Sequence, residues 1–195
     1  MMKRGNVMKH NYYAEYDNVR LRPLREEDIE KIRVWRNDTE NSKYLRKIGH
    51  ISPEMQKKWF DAYLNNEDEL IFAIEETKEF GCLVGSVSLY NFTNEQAEFG
   101  RILIGDRRTS GRGIGRISSV LAMHIGFECL GINKIVASVH EKNLRAYSTY
   151  MKIGFEVVGK HPFGDGDYEL EIEMSKARLK NVNSYVNEIN ILNGR

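Results

Sequence analysis

Ser110-Gly111-Arg112-Gly113-Ile114-Gly115-Arg116 joins two runs of different periodicity. Residues 97–104, Ala-Glu-Phe-Gly-Arg-Ile-Leu-Ile, are extended in character. After the glycines, Ile114, Ile117, Leu121 and Ile125 recur at helical spacing. The glycines therefore stand where a loop becomes a helix N-terminus. There the first N–H groups lack intrahelical partners and the helix dipole is positive, which suits an anion such as a pyrophosphate. Glycine lets a phosphate approach the backbone, and Arg107, Arg108, Arg112 and Arg116 add positive charge. A glycine-rich helix start with no ligand has the same local pattern, so the segment needs support from elsewhere in the chain.

Two phosphate loops are excluded. A Walker loop ends Gly-Lys-Ser/Thr, whereas Gly115 is followed by Arg116 and Ile117. A dinucleotide fingerprint needs a third glycine where Arg116 stands, and an acidic residue about 20 positions later, where this chain is apolar. Support comes from Asn143-Leu144-Arg145-Ala146-Tyr147-Ser148-Thr149-Tyr150-Met151-Lys152-Ile153-Gly154-Phe155. Asn143 is a good N-cap, Gly154 a good residue just past a helix, and Ala146 and Tyr150 share a helix face. An ordinary capped helix with a core tyrosine fits these residues too.

Together the two segments resemble the GNAT superfamily of N-acetyltransferases. The first is similar to that family's acetyl-CoA loop, Arg/Gln-x-x-Gly-x-Gly/Ala. Gly113 and Gly115 match, while Ser110 replaces the usual Arg or Gln, removing one side-chain contact but leaving the backbone amides. The second is similar to the family's Asn-x-x-Ala-x-x-x-Tyr-x-x-x-Gly-Phe, with every anchor present. The motifs lie within residues 97–158. The resemblance implies an α/β (α+β) GNAT acyl-CoA N-acyltransferase fold: a mixed, mostly antiparallel central sheet flanked by helices, with splayed strands that bind CoA. The domain is expected over residues 18–175, with 1–17 and 176–195 as terminal extensions.

Composition agrees with one enzyme domain. The 195 residues are 41% hydrophobic, enough for a core that folds alone. A net charge of +1 without long single-sign runs leaves no footprint for nucleic acid. Apolar runs fall short of the ~20 residues of a membrane span. The polar first 16 residues lack the apolar stretch of a secretory signal. Cys82 and Cys129 form no metal pattern and read as buried, reduced thiols. A cytoplasmic protein without metal is expected.

Along the chain, 19–24 alternates as a first strand and 28–37 reads as a helix. Ser52-Pro53-Glu54 starts a second helix, on which Met55, Trp59 and Tyr63 form a stripe read as core in preference to substrate contact. Strands are expected at 70–75, 83–89 and 97–104. A long helix over 114–130 ends at Gly131. A strand at 135–140, the Asn143 helix, and strands at 155–158 and 168–174 complete the order. Residues 1–17 read as loose, and 176–195 as either helical or disordered.

The family's reaction is direct acetyl transfer from acetyl-CoA to an amine. By resemblance, the cofactor-binding residues are Ile102, Leu103 and Ile104, pairing with pantetheine by strand addition, then Ser110, Gly111, Arg112, Gly113, Ile114, Gly115, Arg116 and Asn143. Tyr150 is the expected general acid, since a phenol with a pKa of roughly 10 can protonate a departing thiolate. Many relatives carry a glutamate where this chain has Ser138. Glu98 is therefore the first choice of base, with His140 or a water relay from Ser138 as alternatives.

The expected acceptor is a small-molecule amine. Leu21-Arg22-Pro23-Leu24 and Trp35-Arg36-Asn37-Asp38 look like the branch holding ribosomal-protein N-terminal, polyamine and nucleotide-sugar enzymes. The second run, His50-Ile51-Ser52 and Ala97-Glu98-Phe99-Gly100 look most like the nucleotide-linked amino-sugar enzymes, and Arg36 with the basic residues of 43–47 would suit a nucleotide phosphate. A polyamine site would instead need an acidic cleft. A nucleotide-linked amino sugar is the expected acceptor and a protein N-terminal amine the alternative. A non-catalytic acyl-CoA-binding module is a further alternative, and a homodimer is left open.

Overall fold

The structure is a computed structural model that describes residues 8–44, 48–164 and 166–193. Its centre is one nine-stranded sheet. β1 (Tyr12–Tyr16) and β2 (Val19–Pro23) form a hairpin, followed by α1 (Ile29–Asn37), the single turn α2 (Thr39–Ser42) and α3 (Pro53–Leu64). β3 (Glu69–Glu76), β4 (Cys82–Tyr90) and β5 (Gln96–Ile104) form a meander that leads into α4 (Ile114–Cys129). β6 (Lys134–His140), α5 (Leu144–Ile153), β7 (Glu156–Phe163) and β8 (Asp167–Ser175) follow, then α6 (Lys176–Val182) and β9 (Asn190–Asn193). The strand order is β7-β8-β6-β5-β4-β3-β2-β1-β9, antiparallel except between β5 and β6.

Two cores lie on opposite faces. α4 crosses one face, where Leu121, Met123 and Ile125 pack with Phe72, Phe99 and Ile135. α1 and α3 cover the other, where Ile32, Phe60 and Tyr63 pack with Ile71 and Leu103. Each fully buried side chain of this size contributes about 1.5–3 kcal/mol. α3 starts as expected, Ser52 Oγ accepting from Met55 N at 3.2 Å ahead of Pro53.

α1 is anchored to β2 by charge. Arg22 Nη1 and Nη2 donate to the two oxygens of Asp28 at 2.6 and 2.8 Å, and Arg22 Nε donates to Glu75 Oε1 at 2.7 Å. Asp28 Oδ2 also accepts from Arg25 N at 2.8 Å. The bidentate geometry explains why arginine serves here.

The structure corrects several expectations. Residues 12–16, read as loose, pair with both β2 and β9, so the two ends of the chain meet at one sheet edge. Residues 176–193, left undecided, begin as α6 and finish as β9. The α3 stripe is rotated: Gln56, Phe60 and Tyr63 face inward, while Met55 and Trp59 are exposed. Aromatic residues at both 59 and 60 made two stripes available; Phe60 enters the core, while Trp59 stacks on Tyr63 at 6.0 Å from the surface. The strand expected at 155–158 runs from Glu156 to Phe163, and Phe155 is core. Cys82 and Cys129 are free, but half-buried rather than buried.

Candidate active site

β5 and β6 pair through only three positions, Gln96↔Lys134, Ala97↔Ile135 and Glu98↔Val136. Beyond Glu98, β5 stays on β4 while β6 stays on β8, so the two parallel strands diverge. The β6-facing edge of residues 99–104 is left without a strand partner. Backbone groups on such an edge need other partners, which an extended amide-bearing ligand can supply. Ile102 and Ile104 turn towards the α4 face and Leu103 towards α1 and α3.

At the wide end of the cleft lies the glycine loop. Gly111 and Gly113 take φ of +78° and +76°, and a Cβ on either would meet nothing within 4 Å. Glycine is therefore required by backbone conformation, with open space beside it for a ligand. Gly113 is the N-cap of α4 and offers no side chain, so the first amides of the helix, from Ile114, Gly115 and Arg116, are uncapped. Gly115 is different: a Cβ there would reach Ile104 at an ordinary 3.6 Å. Three of the four arginines expected to add charge are already engaged. Arg107 pairs with Asp38, Arg108 with Asp106 and Arg112 with Glu79. The uncapped helix amides are thus the loop groups best placed to meet an anion, and Ser110 lies exposed at its entry.

Tyr150, on α5, is 6% exposed. Its ring stands edge-on to Phe99 at 5.8 Å and against Phe155 at 5.5 Å. Phe99 is the first β5 residue past the last β5–β6 pair, so Tyr150 sits at the apex of the cleft on the α4 face. Burial pushes its phenol up to about 12, and no protein group among the described residues hydrogen-bonds it. Asn143 caps α5, its Oδ1 accepting from Ala146 N at 3.2 Å, while its Nδ2 takes no partner among the described residues.

Glu98 precedes Phe99 and points to the opposite face. Its Oε1 accepts from Tyr90 Oη and its Oε2 from Asn91 Nδ2, both at 2.7 Å. Acid and base candidates thus flank the cleft apex on opposite sides of one strand. His140 is less available. Its Nδ1 accepts from Lys142 N at 3.2 Å while Nε2 faces Asp167 Oδ2 at 3.3 Å, so both ring nitrogens already have partners. Ser138 is exposed on β6.

A cavity of about 220 Å³ opens on the α1 and α3 face. Its walls include Arg36, Trp59, Glu69, Ser88, Arg101 and Leu103. Arg101 reaches it through a β-bulge: Ser86 pairs with Leu103 and Ser88 with Gly100, so Arg101 and Ile102 together oppose Val87. Arg101 adopts φ +52°. The extra residue places Gly100 and Arg101 on the same face instead of alternating. Gly100 is needed because a Cβ would come within 2.8 Å of the Tyr90 hydroxyl. Over it, the Arg101 guanidinium stacks on Tyr90 at 4.1 Å and ion-pairs with Glu69.

The family model described as an acetyltransferase (GNAT) domain matches residues 18–156. The chain belongs to the GNAT acetyltransferase family. It is an acetyl-CoA-dependent N-acetyltransferase with the expected fold. Spermidine N(1)-acetyltransferase of Escherichia coli K12 is 29% identical over 160 residues, covering 80% of this chain and 84% of that protein. An N-acetyltransferase 9-like protein of Caenorhabditis briggsae is 26% identical over 166 residues, covering 78% and 80%. Among solved structures, spermidine N-acetyltransferase from Vibrio cholerae in complex with CoA and spermine superposes with a TM-score of 0.74 at 21% identity, covering 83% of this chain and 98% of that one. Among the described residues no cluster suits a metal ion, and no helix is long and apolar enough to cross a membrane.

Sequence reasoning singled out neither Arg101 nor Tyr90, and preferred core to substrate contact for Trp59, which lines the cavity. Gly100 inside a strand pattern was the available signal for the bulge. Residues 45–47, part of the basic 43–47 run, lie outside the described residues, while Lys43 is exposed.

Proposed function

We propose that this enzyme acetylates the primary amine of a small molecule held in the Arg36–Arg101 cavity. The observation that carries the reading is the position of Glu98 and Tyr150 on opposite sides of the cleft apex. The acceptor enters from the α1 and α3 face, and Glu98 takes a proton from its ammonium group, directly or through water. The amine attacks the thioester carbonyl, the C–N bond forms and the C–S bond breaks. Tyr150 gives its proton to the departing sulfur and regains one from the nitrogen through solvent. Ile102, Leu103 and Ile104 would hold pantetheine at the strand edge, with Asn143 Nδ2 free to reach it. The loop from Ser110 to Arg116 would hold the pyrophosphate.

Two acceptor classes are compatible with this path. A polyamine is supported by the printed names of relatives from Escherichia coli and Vibrio cholerae. The nucleotide-linked amino sugar expected from sequence takes its support from Arg36 and Arg101, not from those names. A protein N-terminus fits less well, because the cavity is small. The proposed location is the cytoplasm, as composition suggested.

A thiol-release assay with acetyl-CoA across amino sugars, their nucleotides, polyamines and short peptides tests the proposal. Release with a small amine and none with peptides is expected. Peptide-selective release would overturn the cavity reading.

A further inference from the structure

We infer that Arg36 and Arg101 form a subsite for an anionic group, phosphate or carboxylate, carried by the acceptor beside its reactive amine. This rests on the reading that the cavity holds the acceptor, and it names the acceptor's chemical class.

Arg36 is half-buried on the inner side of α1, yet takes no ion pair or hydrogen bond among the described residues. Burial and the charge of Arg101 both lower its pKa, and no carboxylate opposes them. Removing a guanidinium from water without a partner costs free energy that an anion would recover.

Arg101 is held in place at a cost. A non-glycine residue at φ +52° in mid-strand is strained. The bulge that imposes this strain is what turns the guanidinium into the cavity, and the Tyr90 ring and Glu69 fix its plane. Glu69, 6% exposed, is the one carboxylate on the cavity wall among the described residues, and Arg101 already claims it. Glu98, held by Tyr90, is the carboxylate that faces the reactive ammonium. On the cavity wall beyond it, two guanidiniums stand against one carboxylate, so that wall suits an anion beside the amine rather than the second ammonium of a polyamine.

The test is calorimetry on the full chain saturated with CoA, so that the pyrophosphate loop is filled. The probes are uridine diphosphate, inorganic phosphate, glutarate and spermine. Binding of at least one anion is expected, weakened at least tenfold by Arg36→Gln and less by Arg36→Lys, with CoA affinity kept as the control for folding. Preference for the phosphates or for glutarate separates a nucleotide-like from a carboxylate-bearing acceptor. The inference is overturned if no anion binds, if spermine alone binds, or if anion binding survives Arg36→Gln. If an anion binds as expected but no amine in the acceptor panel is acetylated, the subsite stands and the proposed acceptor reading falls.

Discussion

Trp35 fills the volume that a Cβ on Gly105 would need: such an atom would lie 2.0 Å from the indole Cδ2. The contact joins α1, which carries Arg36, to the residue just after β5 that leads into the glycine loop. One glycine thus fixes the cavity wall relative to the glycine loop. Gly105→Ala is expected to destabilise the fold by about 1–3 kcal/mol, the usual range for overpacking. It should also weaken CoA binding. Thermal unfolding and CoA calorimetry measure the two effects. An alanine variant with unchanged melting temperature would mean that Trp35 moves aside freely.

At Gly113 the constraint is conformational rather than steric. Gly113→Val would face open space, but would force a β-branched residue to φ +76° and place its methyl groups where a phosphate approaches. CoA affinity is expected to fall at least tenfold, ~1.4 kcal/mol. Unchanged affinity by calorimetry would remove the loop from the co-substrate site.

Sequence revealed most where local rules apply. Positive-φ glycines, the Ser52 and Asn143 caps, and the helical spacing from Ile114 are properties of short segments, and each reappears in the structure. The sheet edge formed by β1 and β9 depends on segments from opposite ends of the chain, which no local pattern reports. The bulge at Arg101 breaks the period-two alternation of β5, so simple alternation along 97–104 cannot place Arg101 on the cavity face. Loop charge was overcounted because Asp38 and Glu79, distant in sequence, fold onto Arg107 and Arg112.

Tyr150→Phe keeps the ring that packs on Phe99 and Phe155 but removes the proton donor. Turnover is expected to fall about 100-fold with CoA affinity nearly unchanged. Because burial pushes the phenol up to about 12, Tyr150 stays protonated across the working range. Any loss of wild-type activity between about pH 8 and 10 must then belong to another group and persist in the variant. An alkaline limb that disappears in Tyr150→Phe, or turnover within threefold of wild type, would assign the acid elsewhere.

Glu98→Gln retains an oxygen for Asn91 and a polar partner for Tyr90 while losing proton acceptance. The loss of kcat/KM should be greatest near neutral pH, where the acceptor is an ammonium ion, and shrink as alkaline buffer deprotonates it. A loss equal at all pH values would make Glu98 a positioning residue. With both ring nitrogens of His140 engaged, His140→Ala is the matched comparison and should not reproduce that pH dependence.

Direct transfer across the cleft is the central claim, and intact-protein mass spectrometry tests it most directly. The enzyme is mixed with acetyl-CoA alone, then with the amine panel, and sampled over single turnovers. The expected result is an unmodified protein at every time, with acetylated amine and free CoA appearing together only after amine is added. An acetyl group on the protein before amine is added, passed on to the amine afterwards, would contradict direct transfer.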